Sequence, residues 1–367
     1  MKKQFSYVFL CIGVFTLLGC TDAGTEIGSS FERRQMLENM AQNLIVPAYQ
    51  DLQRSVNNLK TSADNFAQNP TGRNLTDLQT AWEEAYIQWQ YANAYNFGPA
   101  GEEGIRKGLI EEIGTFPVST TKIENTITNN NANFNDFNRD ARGFLTLEYL
   151  IFDLNNDDAA ILSKFSSQNR KVFLQAVASD IKTRVDAVVA AWNTSYREQF
   201  VSNTGTDVGS STAQLYNEFV KSFESIKNFK AGLPLGRRPG QLQAEPTRVE
   251  AYYSGKSRQM MVEHLKAIEN IWYGRSKSGQ DGVGFKEYLA SVEGGAALIT
   301  ATEAQWAVVM NSLNAVPQTP RIAIQIQNTP AAFDNLHTEL QRHTRFFKSD
   351  MSSLLGIAIT YSSGDGD

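Results

Sequence analysis

The chain has 367 residues, enough for about two domains of ordinary size. Hydrophobic residues make up 41% and charged residues 20%, the mix of a chain that buries a core, which excludes a disordered polypeptide. A net charge of −5 without long basic runs excludes a nucleic-acid binder held by phosphate contacts. With two cysteines and three histidines, neither a four-cysteine zinc site nor a disulfide-stapled scaffold is possible.

The N-terminus carries an export signal. Lys2 and Lys3 precede an apolar run from Tyr7 to Leu18, the length of a signal-peptide core and too short for a membrane span. The run ends in Leu17-Leu18-Gly19-Cys20, which resembles a bacterial lipobox. The resemblance implies that residues 1–19 are removed and that Cys20 is lipidated, so that its acyl chains hold the protein to a membrane of the cell envelope. Cleavage takes away two lysines and no acid, which moves the net charge from −5 to −7. Cys11 leaves with the signal, and no free thiol or disulfide remains. Thr21, rather than an acid, follows Cys20. By the sorting rule of enteric lipoproteins, the expected location is the outer membrane, on its periplasmic or surface face. Residues 20–32 read as a polar tether.

From residue 33 the apolar period is helical. Met36, Met40 and Leu44, then Leu52, Val56, Leu59, Ala63 and Phe66, predict one long helix kinked or broken at Pro47. Leu75, Leu78, Trp82, Tyr86 and Trp89 form the stripe of a second helix. Residues 114–140, rich in Asn and Thr, read as loop or short turns, and helix returns from Arg142 to Asp153. A long helix is expected over about 168–200 and another over 212–230, followed by the loop 232–247 with its three prolines. Further helices fit about 256–273, 284–292, 298–315 and 319–348. No sustained strand alternation occurs. The expected fold is all-α, two packed helical-bundle domains over residues 33–160 and 161–367.

Ala81-Trp82 with Tyr86, and Ala191-Trp192 with Tyr196, repeat one pattern, which hints at an internal duplication but is equally a common core pair. The five tryptophans fit helix faces and read as core. Among the histidines, His337 and His343 do not share a helical face; Glu339 and His343 do, and read as a surface pair. No His-Glu-x-x-His motif, nucleophile elbow, P-loop or dinucleotide fingerprint occurs. Gly236-Arg237-Arg238-Pro239-Gly240 is a basic, solvated loop.

Several segments, in order and spacing, resemble the imelysin-like family of bacterial envelope proteins. They are Val46-Pro47-Ala48-Tyr49; Asn69-Pro70-Thr71 with Ala81-Trp82 and Phe97-Gly98-Pro99-Ala100; Glu250-Ala251-Tyr252-Tyr253-Ser254; Ile271-Trp272-Tyr273-Gly274; and the closing Asp365-Gly366-Asp367. The family motif is Gly-x-His-x-x-Glu. Here it reads Gly143-Phe144-Leu145-Thr146-Leu147-Glu148, so the glycine and glutamate are present and the histidine position holds Leu145. Positions three apart share a helix face, where a His and a Glu could hold one metal ion or the Glu could orient the His. Leucine offers no lone pair, so Glu148 is the only motif ligand left.

The resemblance implies a cleft containing Gly143, Glu148, Arg248, Glu250 and Ser254. Gly143 lets another backbone approach closely. Glu148 stands in an apolar stretch and needs a partner, for which Arg142, Arg248 and Ser254 are the candidates. Ser254 also reads as a helix N-cap, and Glu148 as a packed polar residue without further role. Three functions stay open. The first is a lipid-anchored, non-catalytic protein that binds a ligand, metal or envelope partner and is linked to iron uptake. The second is a divergent metallopeptidase. The third is a scaffold lipoprotein of a surface assembly. Iron or another divalent metal is the implied cofactor, its binding weakened by Leu145. The missing histidine argues against catalysis.

Overall fold

Pro47 does not break the first helix. The computed structural model describes residues 31–102 and 108–361, so Cys20, the export signal and Asp365-Gly366-Asp367 lie outside the described residues. α1 (Arg33–Asn39) runs through a π-helical turn, Met40–Ile45, into α2 (Val46–Gln68). Pro47 has no N–H to donate, and in a regular helix its ring would strike the carbonyl four residues back. The widened turn places it in the first turn of α2, with the Val46 N–H donating to the Ala41 carbonyl, five residues behind.

α3 (Gly72–Ala92) starts where the Thr71 hydroxyl accepts from the Asn74 N–H at 3.3 Å. Its stripe from Leu75 to Trp89 is buried. After the short α4 (Leu109–Ile113) comes α5 (Thr120–Asn129), inside the stretch expected to be loop. Its polar composition hides a one-face stripe, Ile123 and Ile127, both buried; Ser119 caps its start and left-handed Asn130 its end. α6 (Phe144–Ile151) and α7 (Asp158–Lys164) lead to α8 (Gln168–Ala191), a π turn at Trp192–Tyr196, and α9 (Arg197–Ser202).

α10 (Ser211–Ser225) continues into a π turn, Ile226–Gly232. A long loop with a 3-10 turn at Pro246–Arg248 precedes α11 (Ser257–Tyr273). Then come α12 (Phe285–Ala290), α13 (Gly295–Ala315), α14 (Ile322–Asn328), α15 (Ala331–Arg345), a π turn at Phe346–Asp350 and α16 (Met351–Leu355). The single helix expected over 319–348 is thus two, because Pro330 cannot continue α14. Every element among the described residues is helical.

α2 packs along both α3 and α8, with α6 set against α3 and α8. The helices that pack as the first group therefore extend past residue 160 to include α8. In the second group α13 lies along α15, and α10 lies against α11. α11 also packs on α3, and the buried apolar side chains form one continuous core through both groups. That contact brings the loop before α11 over α6. Among the described residues, no helix is long and apolar enough to cross a membrane.

Candidate functional site

Gly143 opens α6 with φ +79°, and a Cβ there would stand 2.4 Å from the carbonyl oxygen of Ile113. Only glycine fits both the left-handed backbone and the contact. The backbone that approaches it is thus α4, which fixes the start of α6. One turn on, Leu145 and Glu148 lie on the same face, 3% and 1% exposed. Both line a groove of about 340 Å³ whose other walls include Phe116, Arg248, Tyr252 and Tyr253.

Glu148 Oε1 accepts two hydrogen bonds from Ser254, one from Oγ at 2.6 Å and one from the backbone N–H at 2.8 Å. Burial pushes its carboxyl up to about 7; the two Ser254 bonds pull it down, and the negative charge of Glu250 adds to the rise. Tyr253 beside it is pushed up to about 12, by burial and then by Glu148.

The expected arginine partners are engaged elsewhere. Arg248 pairs with Glu245 at 2.9 Å, and Arg142, buried, pairs with Glu112 at 2.8 Å. Arg248 shares the groove with Glu148, but a serine supplies the hydrogen bonds. Ser254 is not the cap of α11 either; that helix starts after Lys256 without a side-chain cap. The loop before α11 turns back at Ala251, whose φ is +52°, and presents Ser254 to α6.

The donor set does not fit a transition metal. One carboxylate whose Oε1 already accepts two hydrogen bonds, a leucine in the histidine position and a serine hydroxyl supply a single charged ligand, where a zinc or iron site takes three or more. Among the described residues, no group of three His, Cys, Asp or Glu side chains is placed to hold a metal ion.

Glu250 faces away from this groove. Its Oε1 accepts from the Tyr86 hydroxyl at 2.7 Å, and its Oε2 pairs with Lys230 Nζ at 2.9 Å. Lys230 also donates to Gln90 Oε1 at 2.5 Å. All four side chains are buried. Burial draws the Lys230 ammonium below its ordinary value while Glu250 raises it. Glu250 and Lys230 line a second, larger cavity of about 400 Å³, with Trp89, Ser222 and His264. His264 Nε2 lies 2.7 Å from Ser222 Oγ.

Sequence reasoning missed Tyr86, Lys230, Ser222 and His264. Tyr86 was legible only as core. Lys230 carried a signal: Phe219, Phe223, Ile226 and Lys230 fall on one helical stripe, so a lysine stands where the pattern calls for an apolar residue. His343, expected at the surface with Glu339, is 0% exposed and ringed by Phe347, Phe223 and Trp306 at 4.4, 5.1 and 5.2 Å. The five tryptophans are all buried, as expected of core residues.

Residues 45–345 match the family model Imelysin. A protein named iron-regulated protein A from Synechococcus elongatus is 22% identical over 277 residues, covering 71% of this chain and 72% of its own. Among solved structures, an iron-regulated protein A precursor from Parabacteroides distasonis superposes with a TM-score of 0.74 at 15% identity, over 90% of this chain and 97% of its own. An imelysin-like protein from Psychrobacter arcticum superposes with a TM-score of 0.70 at 18% identity, over 91% of this chain and 100% of its own. These likenesses agree with the all-helical fold.

Proposed function

The chain belongs to the imelysin family, and on that premise we propose that it is a lipid-anchored protein of the bacterial cell envelope that binds a ligand without catalysis, in support of iron uptake. The observation that carries this reading is the pairing of Glu148 with Ser254 beside Leu145. The motif glutamate is held by a hydroxyl and a backbone N–H, and the position that could complete a metal site is apolar. A groove that opens onto one buried carboxylate and is walled by Tyr252, Tyr253 and Phe116 suits recognition. Hydrolysis of a peptide would need a metal-bound or otherwise activated water and a positioned base, and the groove offers one carboxylate for both roles. The link to iron rests on the name of the Synechococcus relative. The anchor rests on the lipobox-like sequence at Cys20.

The test combines two measurements. Iron accumulation under iron limitation is compared in the source bacterium with and without this chain, and peptide hydrolysis is measured on the purified protein. The reading expects lower accumulation without the chain and no hydrolysis. Hydrolysis that disappears in Glu148→Gln, with iron accumulation unchanged, would overturn it.

A further inference from the structure

Five glutamates are buried among the described residues, and four of them face a cation. Glu112 has Arg142 at 2.8 Å, Glu224 has Lys348 at 3.3 Å, Glu250 has Lys230 at 2.9 Å and Glu339 has Arg342 at 2.6 Å. Glu148, 1% exposed, is the fifth, and no lysine or arginine among the described residues pairs with it. The donors it has, from Ser254 and the nearby Tyr253 N–H, are neutral. They lower the cost of burying the carboxylate without balancing its charge. Both Ser254 bonds land on Oε1. Oε2 accepts from no side chain and is not sealed off, so it is the oxygen left to the groove. Arg248, also on the groove wall, is held by Glu245 at 2.9 Å.

The walls suit a particular kind of cation. Tyr252 and Tyr253 meet at 73° with ring centroids 5.2 Å apart, so the two rings form a corner in the lining. Aromatic rings attract a positive charge, and a carboxylate oxygen accepts the N–H that carries it. Phe116, Val118 and Leu145 supply apolar surface for the rest of a guest. The volume, about 340 Å³, falls within the range of small-molecule pockets. A hard inorganic cation needs a shell of oxygen ligands, which one carboxylate among apolar walls does not provide.

We propose that the Glu148 groove binds an organic ammonium ion carried on an apolar body, with the ammonium N–H donating to Glu148 Oε2 and the body against Tyr252, Tyr253 and Phe116. The guest supplies the counter-charge that the fold gives to every other buried glutamate and withholds from this one. This assignment rests on the reading of the groove as a ligand site and adds the chemical class of the ligand.

Three probes of matched shape test it by calorimetry on the full chain: 2-phenylethylammonium, 2-phenylethanol and 3-phenylpropanoate. The titrations are run at pH 8, above the Glu148 midpoint of about 7. The proposal expects the ammonium ion to bind one to one and the alcohol and the carboxylate to bind at least tenfold more weakly. Glu148→Gln should bring the ammonium ion down to the level of the alcohol. Glu111→Gln, which removes a carboxylate from the other cavity, should leave ammonium binding unchanged. In the unaltered protein, which requires no variant to fold, an alcohol that binds as tightly as the ammonium ion overturns the proposal. So does absence of ammonium binding, or an ammonium preference that survives in Glu148→Gln. Equal binding of the alcohol would remove the charge class and leave the groove a ligand site, whereas the non-catalytic reading itself stands or falls on hydrolysis and iron accumulation.

Discussion

Ser254 and Glu148 are 106 residues apart in sequence, and one carboxylate oxygen of Glu148 accepts both the hydroxyl and the backbone N–H of Ser254. This joins α6 of the first group of helices to the loop that leads into α11. The carboxylate is desolvated, and the serine bonds offset part of that cost.

Ser254→Ala removes the hydroxyl and keeps the backbone bond. Since that hydroxyl lowers the Glu148 midpoint from where burial alone would set it, the midpoint rises above about 7 in the variant. Above that pH the variant is less stable, by about 1–3 kcal/mol for a lost hydrogen bond to a buried charge. Carboxyl carbon chemical shifts followed against pH give the midpoint; an unchanged value would show that the serine hydroxyl does not reach Glu148 in solution.

Glu148→Gln isolates the cost of ionising this group. The folded midpoint, about 7, lies above the ordinary 4.5. Below 4.5 both states hold the proton, and above 7 both have lost it. Between them the folded state binds more protons, so stability falls as pH rises through the window. The shift corresponds to about 3 kcal/mol in all. Glutamine has no proton to lose, so the variant gains on the wild type across that window. Denaturant midpoints at pH 4.5, 6 and 8 measure the gain, and a constant difference across them would contradict it.

His343→Phe tests a buried imidazole with neither ring nitrogen bonded. Burial lowers its midpoint from 6.5 to about 3. Its neutral form is stable in the fold, while the unfolded chain takes up a proton as pH falls below 6.5. Stability is therefore lost with acid between 6.5 and 3, by about 3 kcal/mol at pH 4.5. The phenylalanine variant is expected to lose that acid sensitivity, and calorimetric melting at pH 4.5 and 7.5 compares the two proteins. Parallel loss of stability in both would place His343 in contact with water.

The helices were legible because their apolar residues recur at helical spacing over many turns, as in Leu75 to Trp89. α5 was not, because two isoleucines carry its buried face and Asn and Thr fill the rest. The Glu148 partner was legible only in part. An isolated carboxylate among Phe144, Leu147, Leu150 and Ile151 announces that it needs a partner, and Ser254 stood among the candidates. Arg142 and Arg248 stood beside it, yet the sharp turn at Ala251 delivers the serine, and Arg248 closes on Glu245 three residues back. Glu250 sits four residues from Ser254 but serves the other cavity, since the turn between them reverses the chain. Linear spacing cannot show such a reversal.

The central claim is that Leu145 leaves the motif glutamate without a metal partner, and calorimetric titration of zinc and of ferrous iron into the unaltered protein, Leu145→His and Leu145→His with Glu148→Gln tests it most directly. The account predicts no tight stoichiometric site involving Glu148 in the unaltered protein, a gain of at least tenfold in affinity in Leu145→His, and loss of that gain when Glu148 is also replaced. One tightly bound equivalent in the unaltered protein that disappears in Glu148→Gln would contradict it.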